Sequence, residues 1–436
     1  MTVFTWSAGD GTSTADWTGP ANWDQGASYP QAGDTAIFPS GKHKCYVNAA
    51  ITCYDVTLTG DAADTVLELQ ANLEVTHDLL ITSGIMNLGA GAYTLTVGGD
   101  IYLTPVGAGT GTNATLTCGD ADITVTGKLN TAGVWHSGAY NPKSIFTGGT
   151  GDHTFASMHL LAGTDVVLSS GVTEITGNIA SAAFRPDVNT TYNTYSNGSG
   201  TVKFTSASAQ NMYSPGAAAS AYKQFYNLIL EKTSSTLQCL STVGFDIRVE
   251  NNLTITSGIL NTNTTTGVNF DLTVTGNVSN YGTLTLNAST FSAAFLRNYS
   301  TGVVPASTGE HTFTDALRND NSYTFTNGNT LLTGRGVGNS GYVLDDQGST
   351  MDYNGGTINI GNGTDIGGNT NIRPQASHDL NDLIINCTNS RKVILATACD
   401  IAGNLTITAG ELDTGADLAL TVTGQCAVAG TLTCNA

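Results

Sequence analysis

Charge is what this sequence has least of. Charged residues make up 11% of the 436, with 15 Lys plus Arg against 34 Asp plus Glu, for a net charge of −19. So few cations exclude nucleic-acid binding, which needs basic surface to displace counterions. They equally exclude docking on anionic membrane surfaces. No apolar run approaches the ~20 residues of a membrane span. The opening MTVFTWSAGDGTSTADW has neither the basic start nor the apolar stretch of a secretory signal. The eight cysteines form no C-x-x-C pair, so neither a zinc site nor a thioredoxin-type motif is implied. No H-E-x-x-H, G-x-S-x-G or P-loop is present, and no cofactor is implied.

What remains is apolar residues, 40% of the chain, set among Thr, Ser, Asn and 52 Gly. That fraction suffices for a core, so low charge does not mean disorder here. The apolar residues fall in repeats. LLITSGIMN at 79–87 returns as LTITSGILN at 253–261 and LTITAGELD at 405–413. Each is followed by a second related strand: TLTVGGDI at 94–101, DLTVTGNV at 271–278 and ALTVTGQC at 419–426. A third recurs as ATLTC, GTLTL and GTLTC at 114–118, 282–286 and 430–434. In Leu253-Thr254-Ile255-Thr256 the Leu and Ile share one face and the Thr residues the other, the period-two mark of a half-buried strand. The Ser-Gly, Ala-Gly and Thr-Gly pairs that follow punctuate turns. Leu79 to Leu95, Leu253 to Leu272 and Leu405 to Leu420 are 16, 19 and 15 residues apart. That spacing fits one coil of a solenoid of roughly 15–25 residues and predicts an all-β fold, a parallel β-helix or β-solenoid.

The repeats divide the chain. Residues 51–180, 225–290 and 376–436 are predicted as solenoid. Residues 181–224 form a Tyr-rich insertion whose segment 217–227 is the best helix candidate. Residues 291–375 form an irregular β region. TGDHTF at 150–155 returns as TGEHTF at 308–313, which puts His153 and His311 in equivalent, structural places. Cysteines such as Cys118 and Cys434, which end Thr-Leu-Thr-Cys strands, read as buried free thiols. Cys45–Cys53 and Cys426–Cys434 are the disulfides expected if the protein matures in an oxidising compartment.

Residues 1–50 differ from the rest and hold Trp6, Trp17 and Trp23, three of the four tryptophans. A solenoid must cover its open end, and large aromatics do that, so this region is expected to be an N-terminal cap or attachment region. Trp6, Trp17, Asn22, Trp23, Pro30, Gly33, Asp34 and Phe38 make a Trp–Asn-Trp–Pro–Gly-Asp-Thr lead. This lead, with repeats of the GNLTITAG type, resembles the β-solenoid proteins of bacteriophage virions and of autotransporter- or adhesin-like surface proteins. The resemblance implies a virion fibre, spike or capsid-decorating protein at the virion surface. Its implied partners are copies of itself (a trimer favoured), other virion proteins and a host-surface glycan. A glycan-depolymerising tailspike enzyme and a secreted or cell-surface adhesin are the alternatives.

No catalytic constellation stands out. The enzyme alternative would draw its carboxylates from Asp345, Asp346 and Asp352, or from Asp187, meeting across coils. Tyr192, Tyr195, Tyr213 and Tyr222 are the expected contact residues, since Tyr gives large contact area at low entropy cost. GNGTDIGG at 361–368 resembles one copy of a calcium-binding β-roll nonapeptide and leaves open whether Asp345, Asp346 or Asp365 binds calcium. A single copy is more simply a Gly-Asn turn.

Overall fold

The structure, a computed structural model, describes residues 1–8, 15–42, 44–59, 66–106, 112–136, 139–140, 142–186, 194–213, 225–240, 246–263, 267–348, 350–375 and 377–435. The chain is 56% strand and 2% helix and forms a parallel β-solenoid of about 15 turns. It divides into two compact units, Met1–Tyr226 and Asn227–Ala436.

In the first unit, alternation along each strand sends every second side chain inward, and parallel pairing stacks those side chains in columns. One column runs Phe4, Ala36, Val56, Leu79, Ile101, Leu129, Met158, Phe184, Met212. A second runs Ile51, Leu73, Leu95, Ile123, His153, Thr173, Val202. The third runs Cys45, Leu67, Met86, Leu116, Phe146, Val166, Tyr195. These side chains are buried. Each fully buried Leu, Ile, Val or Phe contributes about 1.5–3 kcal/mol.

The second unit repeats the plan. Leu228, Leu253, Val278, Leu296, Leu317, Leu344, Ile372 and Leu395 stack in one column. Ile247, Leu272, Phe291, His311, Thr330, Ile358, Leu383, Leu405 and Cys426 stack in another. Leu237, Leu260 and Leu284, then Val304, Tyr323 and Met351, line the third wall.

The corners explain much of the acidity. The Asp55 carboxylate accepts the Asp78 N–H of the next coil at 3.0 Å, Asp78 accepts Asp100 N–H at 2.8 Å, and Asp100 accepts Lys128 N–H at 2.8 Å. At another corner Asp122 accepts Asp152 N–H and Asp152 accepts Val172 N–H. In the second unit Asn252, Asp271, Asp382 and Asn404 do the same for the coils that follow them. Each such oxygen satisfies a donor that the turn leaves out of the ladder, with the added strength of an ionised acceptor where it is Asp.

Another corner of the second unit is held from inside. Asn280 Nδ2 donates to Asn298 Oδ1 at 2.8 Å, Asn298 Nδ2 to Asn319 Oδ1 at 3.0 Å, and Asn319 Nδ2 to Asp346 Oδ1 at 3.4 Å. All four side chains are buried. The Asn298 and Asn319 amides also serve the Ser322 and Thr350 carbonyls of the coils that follow them.

Several sequence expectations are corrected. The described part of the Tyr-rich stretch is not an insertion: Phe184–Pro186, Tyr195–Ser196, Thr201–Phe204 and Gln210–Tyr213 continue the columns, while 187–193 and 214–224 lie outside the described residues. Residues 291–375 are not irregular, since Phe291–Asn298, His311–Asn319, Tyr342–Asp346 and Thr370–Arg373 are successive rungs. Strands within 1–50 also pair in the ladder, Val3–Thr5 with Thr35–Pro39 and Ala15–Asp16 with Cys45–Val47, which leaves the expectation of a cap there untouched. Of the helix candidate at 217–227, residues 217–224 lie outside the described residues and 225–227 are not helical. All eight cysteines are free thiols. Cys45 and Cys53 stand on different walls, each tucked into its own column. Cys426 opens the strand Cys426–Val428, Cys434 follows the strand Thr431–Thr433, and both are exposed. Six of the eight are buried, as their place in alternating strands requires.

Candidate functional site

The three tryptophans form one cluster. Trp6 and Trp17 pack edge-on against Trp23, with ring centroids 5.0 and 5.2 Å apart, and all three lie on Phe38. Trp23 Nε1 donates to the Trp17 carbonyl at 2.8 Å and Trp17 Nε1 to that of Pro30 at 3.3 Å. Each ring is at most 1% exposed, so the indole donors are satisfied inside and no ring face is offered to a ligand.

The expected tyrosine surface is dispersed. Tyr192, Tyr222 and Asp187 lie outside the described residues. Tyr195 is a column residue, buried on Val166. Tyr213 is half-buried, with the Arg185 guanidinium 5.4 Å from its ring centre.

The carboxylates named for catalysis are engaged. Asp345 is 1% exposed; its Oδ1 accepts from Arg373 Nε at 2.7 Å, and the Asn339 and Gln347 amides donate to it. Asp346, also 1% exposed, meets His378 Nδ1 at 2.8 Å and ends the buried asparagine chain. Asp352 is exposed and accepts the Asn354 N–H at 2.8 Å, an Asx turn. Asp365 is exposed and bound by Arg391 through both oxygens (2.8 and 3.1 Å), with Asn389 and the Gly367 N–H completing its shell. These partners, Arg391 first, hold its carboxyl well below the usual range. Among the described residues no group of three or more His, Cys, Asp or Glu is placed to hold a metal ion.

His153 and His311 are buried at equivalent column positions, as their shared TG-x-HTF element predicts. Burial pushes each imidazole down to about 4.

What sequence reasoning missed is the outer face of the second unit. Arg297, Arg318, Asp345 and Arg373 occupy one outward column on successive coils. Asp320 joins the first two, accepting from Arg297 Nε at 2.8 Å and Arg318 Nε at 2.7 Å. Beside them the rings of Tyr281 and Tyr299 stack with centroids 4.0 Å apart, and the Arg297 guanidinium lies 4.2 Å from the Tyr299 ring centre. Tyr281 is 38% exposed. Its ring is therefore a pre-ordered aromatic surface framed by fixed charges. The signal in the sequence is the recurrence of N-Y at 280–281 and 298–299, followed by N-D at 319–320. No family model, curated protein or solved structure matches this chain.

Proposed function

We propose that this chain is a structural contact protein of the virion-surface type, a fibre, spike or capsid-decorating solenoid that acts through its outer faces. The observation that carries the reading is the state of Asp345 and Asp346. Both are buried, Asp345 in an ion pair with Arg373 and Asp346 in a contact with His378 Nδ1, beside amide contacts that tie one coil to the next. A glycosidase needs one carboxyl free to protonate a leaving group and another facing it across a substrate. Here the arginine, histidine and asparagine partners make the two aspartates struts. The stacked Tyr281–Tyr299 pair, set on rigid strands, supplies the contact surface for a host glycan or a virion partner. The faces of Thr, Ser and Asn left by 11% charged residues are the surfaces on which copies would meet in a homo-oligomer, a trimer foremost.

The test is to incubate purified protein with host surface polysaccharide, following reducing ends, alongside light scattering for mass. The reading predicts no release of oligosaccharide and a mass above that of one chain. Release abolished by Asp345→Asn with Asp346→Asn would replace it with the depolymerase reading. A monomer at high concentration would leave docking on another virion protein as the contact.

A further inference from the structure

In the second unit a shallow groove of about 370 Å³ is lined by Asn263, Asn269, Asn287, Ser307, Thr308 and Asn354, with Ala288 and Ala306 as its small members. Among the described residues no charged side chain lines it. Beneath it lies a buried polar relay: Ser307 Oγ is 3.0 Å from His311 Nε2, and His311 Nδ1 is 3.1 Å from the Tyr323 hydroxyl. Ser307, His311 and Tyr323 are at most 3% exposed.

The fold does not require this relay, because the first unit holds the same element without it. Aligning TGDHTF with TGEHTF places Gly149 where Ser307 stands. Val166 occupies the column position of Tyr323: Phe146 and Val304 each precede their histidine by seven residues and pair with the two coils in question. His153 is accordingly left with no hydrogen-bond partner on either ring nitrogen among the described residues. The serine and tyrosine are therefore additions specific to the copy that underlies the groove.

The direction of the relay follows from counting donors. Tyr323 is fully buried, and its hydroxyl has one partner, His311 Nδ1. A buried hydroxyl proton left unpaired is costly, so Tyr323 donates to Nδ1. A neutral imidazole that accepts at Nδ1 carries its proton on Nε2, and that proton is donated to Ser307 Oγ. The Ser307 proton is then turned away from the histidine. This orientation is opposite to that of an activated nucleophile, whose hydroxyl donates to the base. It makes Ser307 a polarised donor in the floor of the groove.

Around that donor stand acceptors. Asn263 Oδ1 is buried with no hydrogen-bond partner among the described residues. Asn287 and Asn354 spend their Nδ2 groups on Asn261 Oδ1 and the Phe325 carbonyl, which leaves their Oδ1 atoms for a ligand. An uncharged row of amide oxygens and hydroxyls matches the hydroxyls of a chain of neutral sugars. A net charge of −19 opposes a polyanion.

We propose that this groove binds a neutral oligosaccharide, with the Ser307 hydroxyl as its central donor and Asn263, Asn287 and Asn354 as acceptors. The inference rests on the contact-protein reading only in taking a glycan as the ligand. It is tested on the isolated chain, so that it fails or stands apart from any location on a virion.

The experiment titrates the full chain with cellohexaose, chitohexaose and maltohexaose, and with polygalacturonate as an anionic comparator, by calorimetry and backbone amide NMR. At least one neutral hexasaccharide is expected to bind and to shift the amides of 287–288 and 306–308, with polygalacturonate inert. Ser307→Gly, the residue the first unit uses there, keeps the fold and weakens affinity roughly tenfold, the worth of one hydrogen bond. Tyr323→Phe frees His311 to accept from Ser307 and weakens binding likewise, although Tyr323 lies beneath the groove. Long-range ¹⁵N spectra should show His311 protonated on Nε2 in the parent protein. Failure of all three neutral sugars to bind, or binding indifferent to Ser307→Gly, overturns the site. A proton on Nδ1, or Ser307-dependent hydrolysis of p-nitrophenyl acetate, overturns the donor assignment and makes Ser307 a nucleophile.

Discussion

Asp78 and Gly99 share one corner of the first unit: the carboxylate that accepts the Asp100 N–H at 2.8 Å occupies the space where a Cβ on Gly99 would stand. The same relation holds between Asp100 and Gly127, Asn252 and Gly276, and Asp382 and Gly403. The glycines of these four corners are thus kept by close approach, since these positions do not carry a positive φ. Gly99→Ala should therefore destabilise by about 1–3 kcal/mol, as overpacking does. It should not give the small gain that alanine brings at an unobstructed site. Thermal melts of Gly99→Ala beside Gly26→Ala, where nothing crowds the Cβ but φ is +64°, separate crowding from backbone strain.

Asn298 sits mid-way in the buried chain from Asn280 to Asp346. Asn298→Ala should cost more than a single hydrogen bond, because it removes at once the acceptor for Asn280 Nδ2 and the donor to Asn319 Oδ1 and to the Gly302 and Ser322 carbonyls. Each orphaned buried group costs about 1–3 kcal/mol. Urea denaturation should show the loss, while Gln425→Ala, at an exposed position outside the chain, should change stability by about 0.5 kcal/mol or less.

Acid should weaken both units. His153 and His311 are held neutral, down to about 4, by burial, while in the unfolded chain each takes up a proton near 6.5. The unfolded state binds more protons between these values, so stability is full above about pH 6.5 and falls as pH drops toward 4. The loss approaches roughly 3 kcal/mol per histidine. His153→Phe, whose ring would meet Phe146 and Phe155 edge-on, should flatten that pH dependence. A melting temperature that fell equally with pH in parent and variant would contradict this.

His77 has the opposite sign. It is exposed, stacked on Tyr54, and its Nδ1 lies 2.8 Å from Asp55, whose hydrogen bond raises its pKa. Its contribution is present below the unfolded value and is lost as pH rises through the raised folded one. NMR titration should find the His77 midpoint above 6.5, and Asp55→Asn should bring it down.

Much of the fold was legible because alternation is strict where inward residues are apolar. Leu253 and Ile255 are buried while Thr254 and Thr256 face outward, so Ile255→Asp should cost more than about 3 kcal/mol and Thr254→Asp little. Legibility fades where the columns turn polar. Gln210, Tyr195, Asn298, His311 and Asn319 all point inward, and a hydrophobic period cannot register them. For that reason 181–224 and 291–375 read as insertion and irregular chain. The cross-coil contacts were hidden for another reason. Asp345 meets Arg373 across 28 residues and Asp346 meets His378 across 32, distances set by coil length and invisible to a motif.

Location is the most direct test of the proposed role. Electron cryomicroscopy of phage particles from cells producing this chain, with antibody fragments against Tyr281 and its neighbours, would place the protein. The account predicts label on the particle surface, on stacked coils spaced about 4.8 Å apart. Label confined to the cell envelope or the soluble fraction, with particles bare, would contradict it.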